Sequence, residues 1–182
     1  MNRPRLRTMI GVCANRTIQL IFVWTCAALP ISARAQTTVG GHVGFVLPLV
    51  TWTNGQSSDL ADNLNIGFPA GISVKGTGRT AFDFEFISSV QDDPRSVTLT
   101  VHPGFLWSVG HGIAPGIRAA FVVNSSQYGF TPLLNKSWPI KGKGQLFKAY
   151  FAEADLPVRF NRPVGAPGTS AVGFAMHFGL GF

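Results

Sequence analysis

From residue 37 onward the chain alternates large apolar residues with small or polar ones, in eight runs separated by seven turn-rich breaks. Successive side chains of a β-strand point to opposite faces, so a period of two marks strands. The closing run AVGFAMHFGLGF (171–182) is the clearest case. Val172, Phe174, Met176, Phe178, Leu180 and Phe182 take the even positions; Ala171, Gly173, Ala175, His177, Gly179 and Gly181 take the odd ones. Wound as a helix, these residues would scatter around the axis, and the glycines would weaken it. As a strand they give one greasy face and one nearly bare face.

The same pattern predicts strands over 37–50, 63–75, 80–89, 95–107, 111–123, 127–140, 145–160 and 171–182. In 80–89, for example, Phe82, Phe84 and Phe86 oppose Asp83 and Glu85. Two segments are imperfect. Lys136 interrupts the greasy face of 127–140, and Lys148 that of 145–160, whose other face also holds Phe147 and Phe151. The breaks TNGQSSDLAD, GTGR, QDDP, SVGHG, NSSQ, KGKG and NRPVGAPGTS carry the residues that hairpins require. The expected fold is all-β, with eight consecutive antiparallel strands.

The volume of the two faces decides which one is buried. Eight faces of Phe, Leu, Ile and Val exceed the interior of a small closed sheet, whereas Gly, Ala, Ser and Thr suit a lumen that side chains just fill. Greasy faces turned outward fit hydrocarbon, where only a closed barrel leaves no unpaired strand edge. The expectation is an eight-stranded up-and-down transmembrane β-barrel. Its lumen would hold Asp83, Glu85, Glu153 and Asp155 against Lys75, Arg118 and Arg159, with His42, His102 and His177 on the same parity. Buried charges need partners, so these residues are expected to form a structural network rather than an acid–base pair. His42 and His177 belong to the first and last strands, which are neighbours on closure. Two imidazoles fall short of the three or four ligands a metal site takes, so no metal and no cofactor are expected.

The net charge of +7 suggests nucleic acid until it is mapped. Arg3, Arg5, Arg7, Arg16 and Arg34 lie in the first 35 residues, which contain no acid; the rest carries ten basic and eight acidic residues. That leader has a basic start, an apolar stretch LIFVWTCAALPI too short to span a bilayer, and ARA before Gln36. It reads as a secretory signal peptide over 1–35, with the barrel domain over 36–182. No nucleic-acid partner is expected. The longest breaks are the first and the seventh, which fits longer external loops and short periplasmic turns. Asn54, Asp59, Asp62, Asp92 and Asp93 would then face outward, and Trp52, Trp107, Trp138, Tyr128 and Tyr150 sit near strand ends where aromatic girdles belong.

With its signal peptide, its eight alternating strands and its terminal AMHFGLGF, the chain resembles the small bacterial outer-membrane barrels of the OmpA and OmpX type. ADLPVRF and FAMHFGLGF also look like uncharacterised outer-membrane barrel proteins. The resemblance implies location in the outer membrane of a Gram-negative bacterium, contact with its lipid, transit past periplasmic chaperones and a monomeric state. It also implies that Phe178, Leu180 and Phe182 form the signal read by the barrel-assembly machinery. Lipid A hydrolases among such barrels place a serine two residues from a histidine. Here Gly179 follows His177 and Gly104 follows His102 at that spacing, so no enzyme is expected. The expected role is structural or surface-interacting. The alternatives are a narrow solute pore and a soluble periplasmic barrel with its greasy faces inward around an apolar ligand.

Overall fold

The computed structural model describes residues 37–92, 94–142 and 144–182. The expected signal peptide and the loop residue Asp93 lie outside the described residues. Ten strand segments follow one another: β1 (Thr38–Thr53), β2 (Gln56–Asp59), β3 (Asn65–Lys75), β4 (Thr80–Gln91), β5 (Ser96–Trp107), β6 (Ile113–Val122), β7 (Gln127–Pro139), β8 (Ala149–Asp155), β9 (Val158–Asn161) and β10 (Thr169–Gly181). All pairings are antiparallel, and β1 pairs with β10 from His42↔Gly181 to Thr53↔Ala171, closing the sheet. The result is an all-β barrel of eight staves, with no helix among the described residues.

Ten segments make eight staves for two local reasons. Pro157 has no N–H for the ladder, so it divides the seventh stave into β8 and β9, both paired with β7 and β10. β2 folds back on the end of β1 and extends that hairpin, with Asn54 and Gly55 at positive φ in its tight turn.

The expected strand positions hold except at one start. Gln145–Lys148 belongs to the connection before β8, so the break expected at KGKG runs from 140 to 148. This accounts for the two lysines. Lys148 lies outside the strand, and its Nζ donates to the Gln145 carbonyl at 2.7 Å. Lys136 is in β7 on the outer parity, but its Nζ turns to the His111 carbonyl in the β5–β6 turn and sits 5.6 Å from the Trp138 ring centroid. A long side chain can keep its stem on an apolar face while its charge reaches polar company.

One register shift has a visible effect. Between Pro48 and Val50 a bulge in β1 inserts a residue against β10. An extra residue exchanges the two faces. Above it Thr51 and Thr53 turn inward while Trp52 joins Phe45 on the outside, although their parities differ.

Candidate functional site

The barrel is greasy without and charged within. Val39, Phe45, Phe68, Ile72, Phe86, Phe105, Phe121 and Leu134 are exposed, whereas His42, Asp83, Glu85, His102, Arg118, Glu153, Asp155 and His177 are buried. Antiparallel pairing with a period of two puts all of the latter on the inner face. The expected lumen set thus converges, with one correction. Lys75 keeps the inner parity but ends β3, where its side chain is exposed at the barrel end and takes no part in the cluster.

Arg118 of β6 occupies the middle. Its Nε donates to Asp83 Oδ2 at 2.7 Å, and its two terminal nitrogens donate to the two oxygens of Glu153 at 2.5 and 3.3 Å. Glu85 Oε2 lies 3.7 Å from Nη1. A forked guanidinium suits this bidentate grip. The remaining acceptors are served from around the wall. Ser73 Oγ of β3 donates to Asp83 Oδ1 at 2.5 Å, and Asn135 Nδ2 of β7 to Glu153 Oε2 at 3.1 Å. His42 Nε2 lies 3.0 Å from Glu85 Oε1, and His177 Nδ1 lies 3.4 Å from Glu153 Oε1. Arg159 of β9 reaches His102 Nε2 at 3.3 Å and Thr131 Oγ1 at 3.1 Å. A guanidinium only donates, so His102 Nε2 is the acceptor nitrogen. Its Nδ1 carries the proton and faces Glu85 Oε2 at 3.6 Å. Every stave contributes at least one polar side chain to the cluster.

Glycines make room for it. A Cβ added to Gly104, opposite Arg118 in the ladder, would lie 2.6 Å from Arg118 Cγ. One on Gly71 would strike the His42 ring, and one on Gly179 would come 2.6 Å from Phe151 Cζ. Phe151, buried on the inner face, stands edge-on to His177 at 4.9 Å between centroids and to His42 at 5.9 Å. His42 and His177 are themselves neighbours across the seam, with centroids 6.4 Å apart.

Sequence reasoning missed the neutral partners Ser73, Asn135 and Thr131. Their inner parity was a signal for them, but parity carries no axial position. In the cluster four carboxyl groups and three imidazoles face two guanidiniums. Three buried atoms of the charged cluster lack a hydrogen-bond partner: Glu85 Oε2, Asp155 Oδ1 and His177 Nε2.

A cavity adjoins the cluster on each side. The larger, about 460 Å³, opens at the end carrying β2; Thr51, Ser58, Thr98 and Gln127 line it, and Glu85, His102, Asp155 and Arg159 lie at its floor. The smaller, about 230 Å³, lies towards the other end and is bordered by His42, Asp83, Glu153 and Lys148. Arg118 borders both. Of the acids expected on the outside, Asp59 and Asp62 hold their own turn. Asp59 Oδ1 accepts from the Ala61 and Asp62 amides, and Asp62 Oδ2 accepts from the Asp59 amide. Asp92 pairs loosely with Arg95 at 3.8 Å.

Comparison with protein-family models, with curated proteins and with solved structures gives no match to this chain.

Proposed function

We propose that this protein is an integral barrel of a bacterial outer membrane with a structural or surface-interacting role. The observation that carries this reading is the inversion of polarity. Phe68, Ile72, Phe121 and Leu134 are each more than half exposed, at 52%, 51%, 51% and 53%, while Asp83 and Glu85 are at 0%. In water, apolar area of this extent is a liability; in hydrocarbon it is the required surface. Aromatic residues favour the same reading. Trp52 and Tyr128 lie towards the β2 end, and Trp107, Trp138 and Tyr150 towards the other, with Trp138 stacked on Tyr150 at 5.2 Å. Such paired belts suit the two interfaces of a bilayer. Phe178, Leu180 and Phe182 would serve as the assembly signal, in transit past periplasmic chaperones to a monomeric final state.

A soluble barrel around an apolar ligand would need the greasy faces inside, and they lie outside. A narrow solute path is the second reading, favoured by two cavities that approach each other across a single charged layer. Fractionation tests the membrane assignment. The protein is expected in the detergent-extracted outer-membrane fraction, with a gel mobility that changes on boiling. Recovery in the aqueous periplasmic fraction would overturn it.

A further inference from the structure

We propose that the seam between β8 and β10 holds a divalent cation of the borderline class, bound by Glu153, Asp155 and His177. One ligand atom from each lies within 4.8 Å of the others; to share one ion with bonds of about 2.0–2.2 Å they draw in to roughly 3.3–3.6 Å, the ligand spacing of a tetrahedral site. Acids gathered at one place do not make a site, and a further observation points to a ligand. Asp155 is 6% exposed and His177 1% exposed, and Asp155 Oδ1 and His177 Nε2 both lack a hydrogen-bond partner. Buried polar atoms are satisfied as a rule, and both of these atoms are electron-pair donors of the kind a cation takes.

His177 does not suffice alone; the carboxylates that complete the set come from the neighbouring stave. Glu153 is the register partner of His177, and Asp155 that of Ala175. An ion held there joins β8 to the strand that closes the barrel. Asp155 lines the larger cavity, which gives an entry path and water for any remaining coordination position. Imidazole with carboxylate suits Zn²⁺ and disfavours Mg²⁺, which prefers oxygen alone. The proposal does not depend on what surrounds the barrel, because all three ligands are inside it.

The test uses the folded barrel as isolated from cells, without a histidine tag, stripped with chelator and titrated calorimetrically with Zn²⁺. One equivalent is expected to bind, with Mg²⁺ failing to compete. Asp155→Asn and His177→Gln should each weaken binding by about tenfold or more, while His111→Gln, in an exposed turn, leaves it unchanged. Crystals soaked in Zn²⁺ should show anomalous density between Asp155 and His177, a readout that needs no variant to fold. No uptake by the folded protein, uptake lost in His111→Gln but kept in Asp155→Asn, or anomalous density elsewhere only, would each overturn the proposal.

Discussion

Arg118 on β6 and Glu153 on β8 meet inside the barrel with two donors on two acceptors, at 2.5 and 3.3 Å. They are not on adjacent staves, since β7 stands between. The pair therefore spans the lumen and ties non-neighbouring walls together, which ladder hydrogen bonds cannot do.

Removing Arg118 alone should cost more than removing it together with Glu153. Arg118→Met leaves Asp83, Glu85 and Glu153 as uncompensated buried carboxylates, a loss of about 3–5 kcal/mol by comparison with other broken buried pairs. Urea unfolding of the purified barrel, followed by loss of the unheated gel band, should move to clearly lower urea. Adding Glu153→Gln to Arg118→Met should recover part of that loss, because the two residues are coupled. Equal midpoints for Arg118→Met and the unaltered protein would contradict a stabilising network.

Gly104 should tolerate no side chain. A Cβ there falls 2.6 Å from Arg118 Cγ and 2.7 Å from Arg118 Cα. Gly104→Val therefore displaces the central guanidinium and should cost about 1–3 kcal/mol or more through overpacking. Gly76 meets nothing within 4 Å, so Gly76→Ala should leave the unfolding midpoint unchanged. The contrast between the two variants separates crowding at Arg118 from a general dislike of losing glycine.

Alternation made the eight staves and the inner parity of Asp83, Glu85, Arg118, Glu153 and His177 legible, because a period of two is fixed by backbone geometry. It did not reveal which inner residues share a level. That depends on the stagger between strands, which local pattern does not encode, and so parity alone groups Lys75 with a cluster from which it stands apart. The bulge after Pro48 was equally hidden, since one inserted residue leaves the alternation on each side intact. Lys148 was a visible warning: a charge on the greasy face marked residues that are not strand at all.

The proposed assembly signal predicts a loss of location without a matching loss of fold. Phe182 keeps its backbone pairing with Gly41, N–H to O at 2.9 Å in both directions, whatever its side chain. Its ring lies over bare Gly41 and edge-on to Phe147 at 6.3 Å. Phe182→Ala should lower outer-membrane levels severalfold in cells, while refolding of the purified chain into detergent gives a similar yield of heat-modifiable barrel. Unchanged cellular levels would count against the signal; an equal loss in both assays would assign the residue to packing instead.

Whether the lumen can conduct turns on Arg118. It borders both cavities, whereas Glu85, His102 and Asp155 border only the larger and His42, Asp83 and Glu153 only the smaller. Eight staves leave an interior that side chains can fill, and the barrier between the two cavities is the charged layer around this guanidinium. Arg118→Ala deletes the group that holds Asp83 and Glu153 together and also adds space at the narrowest level. Its carboxylates then remain as an acidic ring, which selects for cations. In planar bilayers the unaltered protein should be silent or nearly so, and Arg118→Ala should show small cation-selective steps. Wild-type steps of the same size would mean that the layer is already open, which would favour the pore over the plugged barrel. Silence in both would place the barrier in the packed Phe151, His42 and His177 rings rather than in the ion pairs.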